Sequence, residues 1–380
     1  MMIEIGLAGL AGSVPWLSLI LGFALTAAFI VLLTPWARTT GWVDKPSVRK
    51  SHEGEIPLVG GSAVLLAMLA LQWGGPPDAR APAGFWVGAL LLFVVALVDD
   101  RFPIRARYRF AVQCASGLAG VTMGGAMLPG VGDILGVGPI TAWWIVMPVS
   151  LFGTVALVNA INFTDGADGL CGGLGFISLC WLLVAISIAE AAAVAASETA
   201  ASHASSLIPL TTAMAGCLGG FLFFNLRSPW RRKASVFLGD GGSMLIGYTL
   251  AWLAIHATSA YGASSVSPVV CLWIVALPLA DSASCFVRRM LAGETPMTAD
   301  LKHLHHLVRR CGMTPAASVY AIHAGSLLCG FVGVYSWWLG IPERWMFAAF
   351  VSSLLVFIAL TNLAWKRLED SARVPSQVTA

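Results

Sequence analysis

Asn159-Ala-Ile-Asn162-Phe-Thr-Asp165-Gly-Ala-Asp168-Gly-Leu170 sets two amides, two carboxylates and two glycines between two long apolar runs, residues 142–161 and 170–192. A helix needs about 20 mostly apolar residues to cross a bilayer, so both flanks read as membrane spans. The quoted stretch then becomes a polar loop at the membrane surface. Two carboxylates three residues apart need a reason there, and the glycines let the backbone approach a ligand closely or adopt positive φ. The loop reads as one that holds a nucleotide.

The same span criterion, applied outward from this loop, predicts an all-α polytopic membrane protein of about 11 transmembrane helices. They are expected at 15–37, 57–73, 82–98, 108–128, 142–161, 170–192, 206–226, 243–260, 268–287, 318–339 and 345–364. Composition agrees: 58% of the 380 residues are hydrophobic and 11% charged, and the mean hydropathy is +0.81, which excludes a soluble globular domain. Of the 22 Lys and Arg residues, all but Arg80 and Arg344 fall on one set of alternate loops. Because positive loops stay in the cytoplasm, the N-terminus is expected outside and the C-terminus in the cytoplasm. Residues 1–365 form one transmembrane catalytic domain in this reading, and 366–380 a cytoplasmic tail. No Lys or Arg precedes the first span, so that span is expected to remain in the mature protein. The net charge of +3 follows from topology and does not point to nucleic acid. The eight cysteines show no C-x-x-C spacing, which indicates neither a disulfide framework nor a zinc ribbon.

Several loops on the basic side carry further polar residues. Arg49, Lys50 and His52 precede Pro57-Leu-Val-Gly60-Gly61; they read either as a topogenic basic loop or as groups that attract phosphate. The third span ends in Asp99-Asp100-Arg101. Carboxylates at a helix C-terminus are unfavourable by about 0.3–1 kcal/mol, so a cation is expected to compensate. Arg101 and Arg105 could supply it; a divalent cation, or a general base beside a phosphate, is the other reading. In the central loop, Asp168 could instead cap the following helix. Leu238-Gly-Asp240-Gly-Gly-Ser243 opens directly into a span, where free N–H groups favour an anion. Asp240 would repel that anion unless a cation such as Mg²⁺ intervened; a Gly-rich turn capped by Asp240 or Ser243 is the alternative.

Asp281 lies within a span, where a charge is costly unless paired, and Arg288 or Arg289 would pair with it. His303, His305 and His306 show neither the paired-Cys pattern of a zinc site nor the H-E-x-x-H arrangement, so zinc is set aside in favour of phosphate or sugar contacts. His256 and His323 read as packed helix residues, and the Ala/Ser-rich 190–205 as a loop or frayed helix end.

Together, K-P-x-x-R-K-x-H with P-x-x-G-G, Asp99-Asp100, N-A-x-N-x-x-D-G-x-D-G-L, F-x-G-D-x-G-S and H-x-H-H, in this order, resemble the polyprenyl-phosphate N-acetylhexosamine-1-phosphate transferases of glycosyltransferase family 4. The resemblance implies a Mg²⁺-dependent enzyme, with Mn²⁺ as an alternative ion, in the bacterial inner membrane with a cytoplasmic site. It would transfer N-acetylhexosamine-1-phosphate from a UDP-sugar, UDP-GlcNAc first, to undecaprenyl phosphate, giving UMP and undecaprenyl-diphosphate-sugar and initiating cell-surface polysaccharide synthesis. By the same resemblance Asp99 and Asp100 are catalytic and Asp240 is the metal ligand. Lys50, Asn162, Asp165 and Asp168 meet the nucleotide, and His303, His305 and His306 the pyrophosphate or sugar. The partners implied are the UDP-sugar, undecaprenyl phosphate and membrane lipid, with a second copy of the chain as a further expectation.

One departure touches the sugar. Relatives that use UDP-GlcNAc often read D-R-x-H-x-H-H, whereas Asp300 is followed here by Leu301 and Lys302. This leaves open another UDP-2-acetamido sugar (GalNAc or 6-deoxy), or Lys302 in place of the arginine. Phospho-MurNAc-pentapeptide transfer would be accompanied by three consecutive histidines, which are absent. A secondary transporter is the remote alternative, but its sites lie at the bilayer midplane, and here the polar residues gather on one face.

Overall fold

The structure, a computed structural model, describes residues 15–45, 54–77, 80–201, 204–295 and 302–373. Its helices are α1 (Trp16–Thr40), α2 (Gly60–Gly74), α3 (Ala83–Arg101), α4 (Ala106–Gly124), α5 (Trp143–Phe163), α6 (Leu170–Ala195) and α7 (Ala204–Asn225). They continue with α8 (Gly239–Ala257), α9 (Pro268–Ile274), α10 (Ala276–Leu291), α11 (Leu304–Arg310), α12 (Pro315–Trp338) and α13 (Glu343–Arg373). The one sheet among the described residues is an antiparallel pair, β1 (Val43–Asp44) with β2 (Ile56–Pro57).

This is an all-α, multi-pass membrane architecture. Each expected span falls on a helix or, at 268–287, on the pair α9 and α10. Among the described residues seven helices are long and apolar enough to cross a membrane: α1, α3, α5, α6, α7, α12 and α13. An eighth span results if α9 and α10, bent by 47°, count as one. Pro278 explains the bend, because it has no N–H to offer the carbonyl one turn earlier. α6 runs on to Ala195, into the stretch read as loop, and α13 continues through residue 365 to Arg373.

α8 is the centre of the bundle. It is buried on nearly every face, from Gly239 to Ala257, and packs against α2, α3, α5 and α6. A helix apolar all round belongs inside a bundle, and here that places the polar start of α8 against its neighbours' ends. α1 lies along α7 because Gly216 and Gly220 admit its backbone: a Cβ there would sit 2.2 Å from Leu19 O and 2.5 Å from Phe23 O. Small residues four apart allow this approach in membrane helices.

Candidate active site

α3 stops where Phe102 turns extended ahead of Pro103, and its last turn carries Asp99 and Asp100. The Asp99 carboxylate accepts the Ile104 N–H at 2.5 Å and Arg109 Nη1 at 2.6 Å. The compensating cation is therefore Arg109, in the first turn of α4. Arg101 and Arg105 are exposed and do not fill that role. The reversal over residues 102–105 brings the start of α4 beside the end of α3, while Arg101 and Arg105 point outward.

Asp100 faces the start of α8, where its Oδ1 accepts the Asp240 N–H at 3.2 Å. The approach needs Gly239: its φ is +75°, and a Cβ would fall 2.8 Å from Asp100 Oδ2, so a side chain there would be both strained and blocked. Phe237 and Leu238 are fixed from the other side, their carbonyls accepting from Gly60 N–H and Gly61 N–H at 2.9 Å each. Thus the P-x-x-G-G and F-x-G-D-x-G-S segments form one surface.

Asp240 projects between Arg109 Nη1, 3.6 Å from its Oδ2, and Asn162 Nδ2, which donates to its Oδ1 at 3.2 Å. Asn162 also donates to Ser243 Oγ at 2.8 Å. Neither Asp240 nor Ser243 caps α8 with its side chain. The Asp99 side chain is only 7% exposed, whereas that of Asp240 is 35% exposed. Of these two, Asp240 is the one open to a ligand. Oxygen donors from Asp240 and Asp100 suit a hard cation such as Mg²⁺.

The central loop joins this carboxylate group to the histidines. Asp165 is exposed in the turn after α5. Asp168 is not a helix cap; Gly169 occupies that position, with φ 83°. Its carboxylate instead accepts from Arg227 Nε at 2.8 Å and from Ala234 N–H at 3.2 Å, tying the central loop to residues 227–234. On the far side, Phe163 lies against His303, ring centroids 5.6 Å apart. A Cβ on Gly166 would fall 2.7 Å from His305 Nε2.

His303 donates from Nδ1 to Asp281 Oδ2 at 2.8 Å, and the Leu304 N–H donates to Asp281 Oδ1 at 2.7 Å. Asp281 is thus satisfied by His303 and a backbone amide. Among the described residues the expected pairing with Arg288 or Arg289 does not form, because His303 and the Leu304 N–H occupy both Asp281 oxygens. Arg288 donates to Lys302 O at 2.7 Å and to Cys285 Sγ at 3.2 Å. Asp281, Cys285 and His303 have ligand atoms within 4.8 Å of one another, a proximity that the chain order conceals. Both Asp281 oxygens are already hydrogen-bonded, however, and the Arg288 guanidinium stands where a cation would be repelled. We read this group as the support for α11.

Burial opposes the charge of His303, but the hydrogen bond and charge of Asp281, together with Cys285, outweigh it and push its pKa up to about 10. His305 goes the other way: burial first, then the neighbouring charges of His306, His303 and Arg309, lower it to about 3. Burial first, then the charges of His303, Arg309 and Arg310, lower His306. Among the described residues His305 Nε2 has no hydrogen-bond partner, and it borders a small cavity lined by Thr164, Pro278 and Asp281, with room for about one water molecule.

Lys302 forms an ion pair with Glu369 of α13 at 2.7 Å. His256 bonds Trp252 O and Gly124 O at 3.0 Å each, and His323 packs against α6, its Nε2 3.4 Å from Leu170 O. Arg49, Lys50, His52, Asp300 and Leu301 lie outside the described residues. Arg109, Arg227 and Cys285 were not singled out by sequence. Both arginines were visible only as members of the basic loops, and Cys285 carried no motif.

The model of the family described as glycosyl transferase family 4 matches residues 82–258, which include Asp99, Asp100, Asn162, Asp165, Asp168 and Asp240. An undecaprenyl-phosphate α-N-acetylglucosaminyl 1-phosphate transferase of Yersinia pestis is 33% identical over 349 residues, 90% of each chain. Relatives of the same name from Escherichia coli O157:H7 (32% over 354 residues, 90% of each chain) and Haemophilus influenzae (30% over 340 residues, 89% of this chain and 91% of the relative) are similar.

Proposed function

The chain belongs to glycosyl transferase family 4, and from that premise we propose that it transfers N-acetylhexosamine 1-phosphate from a UDP-sugar, UDP-GlcNAc first, to undecaprenyl phosphate. An oxygen of the lipid phosphate attacks the sugar-linked phosphorus. The bond from that phosphorus to the oxygen shared with the nucleotide breaks, and UMP leaves with that oxygen and the electron pair. Phosphoryl transfer of this kind depends mainly on positioning and charge neutralisation.

The observation that carries the reading is the meeting of Asp99 and Asp240 at Arg109, with Asp100 on the Asp240 amide and the Asp240 side chain partly exposed. Asp240 and Asp100 would hold Mg²⁺, or Mn²⁺, which when bound neutralises charge on the phosphates. Asn162 orients Asp240 through its amide. Arg109 pairs with Asp99 and adds positive charge beside Asp240. Asp165 would meet the nucleotide end, a role that the family resemblance also gives Lys50, while Asp168 steadies the Arg227 loop. His306, half-buried and with a lowered pKa, offers a neutral imidazole to the pyrophosphate or sugar.

The test is UMP release by the purified protein given UDP-GlcNAc, undecaprenyl phosphate and Mg²⁺. Release is expected only with all three, and release without the lipid acceptor would overturn the reading. The sugar is settled by offering UDP-GalNAc, a UDP-6-deoxy-acetamido sugar and UDP-MurNAc-pentapeptide alongside. The cytoplasmic placement of the site follows the basic loops. A cysteine introduced at Asp240 should react only with a membrane-permeant reagent, and one at Ala201 with an impermeant reagent applied outside.

A further inference from the structure

Away from the carboxylates, the end of α7 and the turn after it enclose a second cavity, of about 620 Å³, within the roughly 300–1,000 Å³ typical of ligand sites. Its walls are apolar: Phe23 of α1 with Leu222, Phe223 and Leu226. Its mouth is polar and is formed by Trp230 and Arg231. The mouth is held in shape, because Ser228 and Arg231 exchange both backbone hydrogen bonds, at 2.8 and 3.0 Å. This leaves Trp230 94% exposed at the tip. The Arg231 guanidinium lies 5.1 Å from the Phe223 ring centroid and 5.5 Å from that of Phe224, and among the described residues no carboxylate pairs with it. Arg232 and Lys233 follow, both exposed.

α1 and α7 both qualify as membrane spans, so a cavity between them faces lipid. An exposed tryptophan beside a basic cluster marks the headgroup level of a bilayer. Apolar walls beneath an arginine that no carboxylate among the described residues pairs with match a single kind of molecule, one with an acyl chain and an anionic phosphate head. We propose that this cavity binds an anionic glycerophospholipid, with the acyl chain between Phe23, Leu222 and Leu226 and the phosphate on Arg231.

The polyprenyl substrate of the proposed reaction fits less well here. Phe221 is fully buried and packs tightly on both Gly60 and Gly172, and the Gly60 N–H bonds Phe237 O in the segment that leads to Asp240. A phosphate on Arg231 would be walled off from the carboxylates. The bound lipid would instead brace the loop whose first residue, Arg227, holds Asp168.

The full chain is reconstituted in nanodiscs of equal parts phosphatidylcholine and phosphatidylglycerol, and retained lipids are counted by native mass spectrometry. Phosphatidylglycerol should be retained in preference, and Arg231→Gln should reduce that preference about fivefold, the effect of roughly one basic residue at the headgroups. Gly219→Leu should expel both lipids by filling the cavity; a Cβ at Gly219 has ordinary clearance, 3.4 Å from Phe23. Arg231→Gln leaves the apolar packing intact and so guards against misfolding in the second variant. Unchanged retention in both variants, or no preference in the wild type, would overturn the proposal. Displacement of phosphatidylglycerol by undecaprenyl phosphate would overturn it too, by reassigning the cavity to the carrier. No turnover is needed, so the result stands apart from that of the proposed reaction.

Discussion

The two regions joined by the central loop handle charge in opposite ways. At the ends of α3 and α8, carboxylates gather around one arginine, and Asp240 keeps a third of its side-chain surface open. At α10 and α11, the charges are consumed internally: Asp281 by His303 and Leu304 N–H, Arg288 by Lys302 O and Cys285. The first region leaves carboxylate surface exposed to a ligand, whereas the second turns its charges inward to hold a loop. Substitutions in the first should therefore remove activity and spare the fold, and those in the second should do more to stability.

Asp240→Asn puts most strain on this contrast. UMP release should fall about 10³-fold, the scale of losing a key electrostatic group, with thermal stability in detergent unchanged. A comparable loss of stability would erase the distinction between the regions. Arg109→Ala comes next, with a loss of about 10²-fold; Arg109→Lys should recover part of it, since the charge returns without the guanidinium geometry.

On the histidine side, Asp281→Asn should lower unfolding stability by about 2 kcal/mol and affect turnover less than Asp240→Asn. Weaker still is the pH dependence. His303 titrates near pH 10 in the folded protein against about 6.5 unfolded. Its stabilisation is therefore complete below pH 6.5 and lost as pH rises toward 10. His305, lowered to about 3, has the opposite sign, so stability falls as pH drops below 6.5, where only the unfolded chain takes the proton. Melting temperatures across pH 5–10 should show the wild type converging on His303→Gln at the alkaline end. Convergence at the acidic end instead would reverse the assignment. Lys302→Ala should shift stability by only about 0.5 kcal/mol, because its partner Glu369 is also substantially exposed.

Much of this was legible in the chain. Runs of about 20 apolar residues give helices because lipid offers no hydrogen-bond partners to the backbone, and each expected segment is helical. The polar residues at the span ends could be named because such residues are conspicuous against an apolar background. Asp240 and Asp100, 140 positions apart, were both singled out as chemistry-bearing, but nothing in their spacing says that the carboxylate of one receives the amide of the other. Asp99 offers the counterexample: Arg101 and Arg105 are nearer in sequence, yet Arg109 is the partner, because the chain reversal after Phe102 turns the closer arginines outward.

By itself the sequence determined the membrane class, the segments that become helices and the set of motifs that meet the family pattern, because these depend on composition and local order. Tertiary structure alone decided which charges meet: Arg109 with Asp99 and Asp240, Asp168 with Arg227, and Asp281 with His303 beside Cys285. Those pairings depend on how helix ends align once buried α8 and the glycine contacts of α1 and α7 fix the packing, and hydrogen bonds and ion pairs act over a few ångströms of space, whatever the distance along the chain.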